Sequence, residues 1–241
     1  MLSFLLLWSA TLFGSFVSRE LGPLDEAERD VFGFVQTAIL TLLGLIIGFT
    51  FSMALGRYDQ RRNYEEAEAN AIGTEYVRAD LLPAAEAAKV RELLKSYLDQ
   101  RILFYTTLDL EQLQQVDVRT AKLQDDLWAV VRDGSAGHST PTVALVISGM
   151  NDVLNSQGYT QAAWRYRIPS QAWVLMTAIA LWCNLLLGYG ARRRGKVLFL
   201  VVPLAVAISF YLIADIDSPR RGRVSVPVVN LMSLAQTLRS Q

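Results

Sequence analysis

The sequence predicts an all-α membrane protein, with four transmembrane helices and a helical extramembrane domain inserted between the second and third spans. Three observations carry this. Four stretches, residues 1–18, 31–56, 168–191 and 197–214, contain no Asp, Glu, Lys or Arg. The charge is concentrated in 57–167, where 13 basic and 16 acidic residues make that segment suited to water rather than lipid. Apolar residues in that segment recur at helical spacing, with no strand alternation, internal repeat or Gly-rich phosphate loop.

A hydrocarbon core of ~30 Å requires about 20 mostly apolar helical residues. Residues 31–56 and 168–191 satisfy that length. The shorter stretches 1–18 and 197–214 reach it by running into interfacial residues or thinning the bilayer. Four such runs in one 241-residue chain argue against buried helices of a soluble protein. Residues 1–18 have no Lys or Arg before the apolar run and no clear Ala-x-Ala cleavage site. They are expected to be a retained first span rather than a signal peptide.

Beyond the second span, residues 57–82 read as one long amphipathic helix that continues it out of the membrane, ended by Pro83. A second helix, 84–105, places Val90, Leu93, Leu94, Tyr97, Leu98 and Ile102 at helical spacing. A third, 108–131, does the same with Leu110, Leu113, Val116, Leu123, Leu127 and Val130. Residues 134–141 are a breaker, 142–156 form a further helix ended by Gly158, and Pro169 marks entry to the third span. The expected domains are therefore 1–56 (two spans), 57–167 (helical, extramembrane, cytoplasmic), 168–218 (two spans) and 219–241 (a C-terminal tail). The middle segment is small enough that oligomer contacts would help bury its faces.

Composition excludes several function classes. Lys plus Arg and Asp plus Glu are 23 each, so the chain lacks the basic excess of a nucleic-acid binder. One Cys and one His rule out disulfide frameworks, zinc fingers and His-rich metal sites, and no metal or cofactor is expected. His138 lies in Gly134-Ser135-Ala136-Gly137-His138-Ser139, a poor place to hold a catalytic base rigidly. Glu65 and Glu66 are adjacent and so face different sides of a helix, which disfavours an acid–base pair. No catalytic residue is assigned, and the chain is not expected to be an enzyme.

Flanking positive charge bears on orientation. Arg57, Arg61, Arg62, Arg165, Arg167, Arg220, Arg221 and Arg223 lie on one side, against Arg19, Arg29 and the turn Arg192-Arg193-Arg194-Gly195-Lys196 on the other. Eight against six favours a cytoplasmic central segment.

At about 100° per residue, Thr37, Thr41, Gly44, Gly48 and Ser52 share one small, weakly polar face of the second span. Val35, Ile39, Leu42, Ile46, Phe49 and Met53 form a separate apolar stripe. The small face is suited either to close helix packing or to lining a pore.

Gly48-Phe49, then Arg57 and a long charged helix, resembles the second transmembrane helix of bestrophins. Those are pentameric, anion-selective channels with four spans per subunit and a helical cytosolic domain between the second and third. More closely, the chain is similar to bacterial bestrophin-like membrane proteins. It shares their Arg57-Tyr58-Asp59 exit from span two and the ending Asp215-Ile216-Asp217-Ser218-Pro219-Arg220-Arg221-Gly222. The resemblance follows the order of elements along the whole chain. It implies a pore neck at Thr41, Leu45 and Phe49. It also implies a homo-oligomer, pentameric by preference, passing small ions, anions foremost, across a bacterial inner membrane. Two departures stand out. The Trp-rich segment of bestrophins is replaced by Tyr58-Asp59-Gln60-Arg61-Arg62-Asn63-Tyr64, and little chain follows span four, so calcium gating is not expected.

Charges at the edges admit two readings each. Arg57, Arg61 and Arg62 either anchor to lipid phosphate or form a basic ring at the pore exit. Glu65, Glu66 and Glu68 either neutralise that ring through pairs such as Arg61–Glu65 and Arg62–Glu66 or bind cations. Asp215 and Asp217 either stabilise a local turn through backbone or Arg hydrogen bonds or bind an ion. Trp164, Tyr166, Trp173 and Tyr189 are placed for an aromatic belt, Trp182 and Cys183 for packing, and Pro203 for a kink in span four. The alternative to a channel is a non-conducting scaffold or signalling protein whose central helices bind a partner.

Overall fold

The computed structural model describes residues 2–22, 24–135, 141–190 and 198–240, and its elements are all helices. The first, α1, spans Leu2–Leu21. The second, α2, runs unbroken over 53 residues, Glu26–Arg78. A reciprocal capping box sets its start: the Asp25 carboxylate accepts the Glu28 N–H at 2.7 Å, and the Glu28 carboxylate accepts the Asp25 N–H at 2.9 Å. At ~1.5 Å per residue α2 is roughly 80 Å long, well beyond a ~30 Å hydrocarbon core. The predicted continuation past residue 56 is thus present. A 3₁₀ turn, Ala79–Leu81, closes it ahead of Pro83.

There follow α3 (Ala84–Thr106), α4 (Leu110–Ser135), α5 (Pro141–Arg165), α6 (Ser170–Gly190), α7 (Leu198–Asp217) and α8 (Val229–Arg239). Among the described residues, four helices are long and apolar enough to cross a membrane, lying within Leu2–Leu21, Glu26–Leu81, Pro141–Gly190 and Phe199–Asp217. His138 and the basic turn 192–196 lie outside the described residues.

Two elements differ from the sequence expectation. Gly158 does not end α5, which continues to Arg165. A mid-helix glycine costs about 0.5–1 kcal/mol, and burial of Val153, Ala163 and Trp164 along the same helix offsets it. Residues 229–239, expected only as tail, form α8, which buries Leu231, Ala235 and Leu238 at helical spacing.

The chain divides into two compact units. Met1–Gly56 with Arg167–Ser218 forms the first, centred on Leu7, Leu43, Met176, Ala180, Val206 and Phe210. Here α1 and α6 meet at backbone distance. A Cβ on Gly14 would collide with the Leu185 carbonyl, and one on Gly188 with the Thr11 carbonyl. Beside them Thr11 Oγ1 donates to Asn184 Oδ1 at 3.3 Å, and Asn184 Nδ2 donates to the Ala180 carbonyl at 2.7 Å. Cys183 is buried, Trp182 is 62% exposed, and Pro203 stands inside α7.

Arg57–Tyr166 with Pro219–Gln241 forms the second unit, whose core includes Ile72, Leu94, Tyr97, Leu127, Met150 and Leu231. Trp164, expected at a membrane interface, is instead buried in this core, edge-on to Phe104 and Tyr105 at 5.3 Å.

Candidate ion-pathway face

Within the first unit, one stripe of α2 is packed: Leu43 lies in the core, with Ile39, Ile46 and Ile47 against it, and Thr50 and Ala54 are buried. At about 100° per residue, the side carrying Thr37, Thr41, Gly44, Gly48 and Ser52 points away from that stripe. All five are exposed, and a Cβ added at Gly44 or Gly48 would meet nothing. The Thr37 and Thr41 hydroxyls donate back to the carbonyls of Gly33 and Thr37, at 2.8 and 2.9 Å. Leu45 and Phe49, 53% and 65% exposed, flank the same side. The apolar stripe splits: Ile39 and Ile46 pack inward, while Val35, Leu42, Phe49 and Met53 are exposed. Close packing within the chain therefore does not account for the small face.

The three arginines after span two are placed differently. Arg61 is buried, and its guanidinium donates to the carbonyls of Ala163 and Tyr166, each at 3.2 Å. Arg57 is half-buried and Arg62 exposed.

The acidic candidates also separate. Glu66 is exposed, whereas its neighbours Glu65 and Glu68 are fully buried. Glu65 receives the N–H groups of Asn230 and Leu231 at 3.0 and 2.9 Å and the Asn230 amide at 2.7 Å, so it caps the start of α8. That places a carboxylate at the positive end of a helix dipole. Glu68 is paired with Arg101 and accepts from Tyr105 at 3.1 Å and Thr160 at 3.2 Å. Burial works against the Arg101 charge, but Glu68, Tyr97 and Tyr105 together outweigh it, so the guanidinium pKa stands above its ordinary value. Burial, and then Glu68, pushes the Tyr105 phenol up.

At the end of α7, the Asp217 carboxylate accepts the Ile168 N–H at 3.1 Å, and Arg167 Nη1 donates to the Asp217 carbonyl at 3.0 Å. The Asp215 carbonyl accepts the Ser218 N–H at 3.2 Å. The Asp217 carboxylate thus joins the end of α7 to the chain just ahead of α6. In the second unit, Arg220 donates to the carbonyls of Phe104 and Thr107 at 2.7 and 3.0 Å and lies over the Trp164 ring.

Arg101, Tyr105, Thr160 and Glu75 were not singled out from sequence. The available signal was periodicity: Arg101 continues the buried positions Val90, Leu94 and Leu98, and Glu75 continues Glu65, Glu68 and Ile72. Among the described residues, no group of three or more His, Cys, Asp or Glu is placed to hold a metal ion.

Residues 3–231 match the family description Bestrophin-like domain. No curated protein sequence matches the chain. The structure is similar to a bacterial Bestrophin homolog from Klebsiella pneumoniae, at 15% identity and a TM-score of 0.69, covering 99% of this chain and 97% of that one. It is also similar to the crystal structure of a membrane protein variant, at 13% identity and a TM-score of 0.71, with the same coverage. At such identities these structures show a common fold. With a domain match over nearly its whole length and four helices able to cross a bilayer, the chain is a multi-pass membrane protein belonging to the Bestrophin-like family.

Proposed function

We propose that this chain is one subunit of a homo-oligomeric, preferably pentameric, ion channel of a bacterial inner membrane. Its pathway is lined by α2. The observation that carries this reading is the exposed, uncontacted side of α2 at Thr37, Thr41, Gly44, Gly48 and Ser52. In a ring of subunits that side faces the axis, with Thr41, Leu45 and Phe49 forming the neck. The charged second unit stands outside the bilayer, on the cytoplasmic side by the balance of flanking Arg and Lys.

Small anions are the proposed permeant ions, gathered by Arg62 and Arg57 at the exit. Arg61, held by two carbonyls, supports the fold there. Exposed carboxylates at Asp59 and Glu66 share the stretch with Arg62. Current through purified protein in planar bilayers under a chloride gradient tests the assignment. A reversal potential following chloride supports it. A reversal following the cation keeps the pore but transfers selectivity to Asp59 and Glu66.

The neck has its own test. Phe49→Ala is expected to raise single-channel conductance or alter selectivity while the oligomer stays intact. Unchanged current from an intact oligomer removes Phe49 from the pathway. The scaffold reading is separated by oligomeric state in detergent, because a dimer has no room for a central pore of this kind.

A further inference from the structure

Glu75 is fully buried in the second unit, and neither of its carboxylate oxygens has a hydrogen-bond partner. Its side chain lies directly against Gly149 of α5, where any Cβ would collide with Oε2. A buried carboxylate without a donor is costly when ionised, and the group is held neutral instead. The charged groups facing it are Arg78, one turn along α2, and Asp152 on α5. Arg78 Nη1 sits at the same contact, where a Cβ on Gly149 would collide with it too, but it donates to the Leu145 carbonyl at 3.5 Å rather than to Glu75. Burial pushes the Glu75 pKa from 4.5 up to about 8, with Arg78 pulling it down and Asp152 adding to the rise.

We propose that Glu75 is a proton-operated latch between α2 and α5. Neutral, it allows the two helices to meet at Gly149; ionised, it drives them apart. The sign follows from linkage. An acid whose pKa rises on folding binds its proton more tightly in the folded state. Its contribution is fully present below about 4.5 and is lost as the pH passes through about 8. The contact is thus expected to close in acid and loosen in mild alkali. This inference concerns packing inside one unit and holds whether or not the chain conducts.

The test is a distance. Val77→Cys on α2 and Leu145→Cys on α5, both at exposed positions, carry spin labels in a Cys183→Ser background. In otherwise unaltered protein the label distance is expected to shift to longer values between pH 6.5 and pH 9. In Glu75→Gln, which mimics the neutral acid, it is expected to stay short at both. Glu75→Met, with no titratable group, is expected to behave as Gln does. A distance that does not change with pH in the parent, or that changes equally in both variants, overturns the latch.

Discussion

The two units of this chain are held together by opposite means. The first buries few polar groups, namely Thr11, Thr50, Asn184 and Asp217, and brings α1 and α6 to backbone contact at Gly14 and Gly188. The second buries Arg61, Glu65, Glu68 and Arg101, each with partners, among a large apolar cluster. With the first unit in lipid and the second in water, as proposed, the difference follows from the solvent. In lipid an apolar side chain gains little by leaving surroundings as apolar as itself, so helices associate through close packing made possible by small residues. In water, apolar burial contributes roughly 25 cal/mol per Å², enough to carry buried ions into the core provided each finds partners.

The sharpest way to break this comparison is to remove one partner of the buried pair. Glu68→Ala leaves the Arg101 guanidinium fully buried without its carboxylate, and also strips acceptors from Tyr105 and Thr160. The expected cost is about 3–5 kcal/mol, measured by equilibrium unfolding in mixed micelles. Replacing both members, as Glu68→Leu with Arg101→Met, is expected to recover most of that loss, because no charge is then left stranded. A double variant as unstable as the single one would show that the pair's shape, rather than its charge, holds the core.

In the first unit the corresponding weak point is a hydrogen atom. Gly188→Ala places a methyl group against the Thr11 carbonyl, a backbone atom that cannot swing aside, so α1 must retreat along its contact with α6. The expected cost is about 1–3 kcal/mol. Gly158→Ala in the second unit is the control, because a methyl there meets nothing. It is expected to stabilise α5 by about 0.5–1 kcal/mol. Equal responses at the two glycines would remove the case for backbone contact as the device that holds α1 to α6.

Much of this architecture was legible in the sequence, and the omissions have physical reasons. The spans could be read because lipid excludes charge outright, which leaves a compositional mark that needs no knowledge of neighbours. The course of α2 past residue 56 could be read because its period persists until Pro83. Helix α8 could not: its start is fixed by Glu65, far away in the chain, whose carboxylate caps it. Gly158 looked like a stop because propensity was weighed without the burial of Trp164 and Ala163 that holds the helix beyond it. Glu65, Glu66 and Glu68 shared one reading, as partners of the Arg cluster or as cation ligands, yet the helical turn sends Glu66 to solvent and the other two inward. The small face of α2 was visible as a period. Which side of the helix the chain itself covers emerged only from the residues that surround Leu43.

The smallest expected effect compares one substitution across the two units. Thr11 and Thr160 are both fully buried, and each donates a hydroxyl to another side chain. Thr11 Oγ1 reaches the neutral Asn184 oxygen at 3.3 Å and the Leu7 carbonyl at 3.2 Å. Thr11→Val is expected to cost about 0.6 kcal/mol, the typical worth of a side-chain hydrogen bond between membrane helices. The value is low because separated helices in lipid still satisfy such hydroxyls on their own backbone, as Thr11 does at Leu7. Thr160 Oγ1 donates to the fully buried Glu68, the partner of Arg101, at 3.2 Å. Thr160→Val is expected to cost about 1.5–3 kcal/mol, the range for hydrogen bonds to charged groups. Unfolding of both variants under one set of conditions reads the ratio directly. A Thr11→Val cost equal to that of Thr160→Val would mean that a charged acceptor adds nothing here, and that the two units are stabilised in the same way after all.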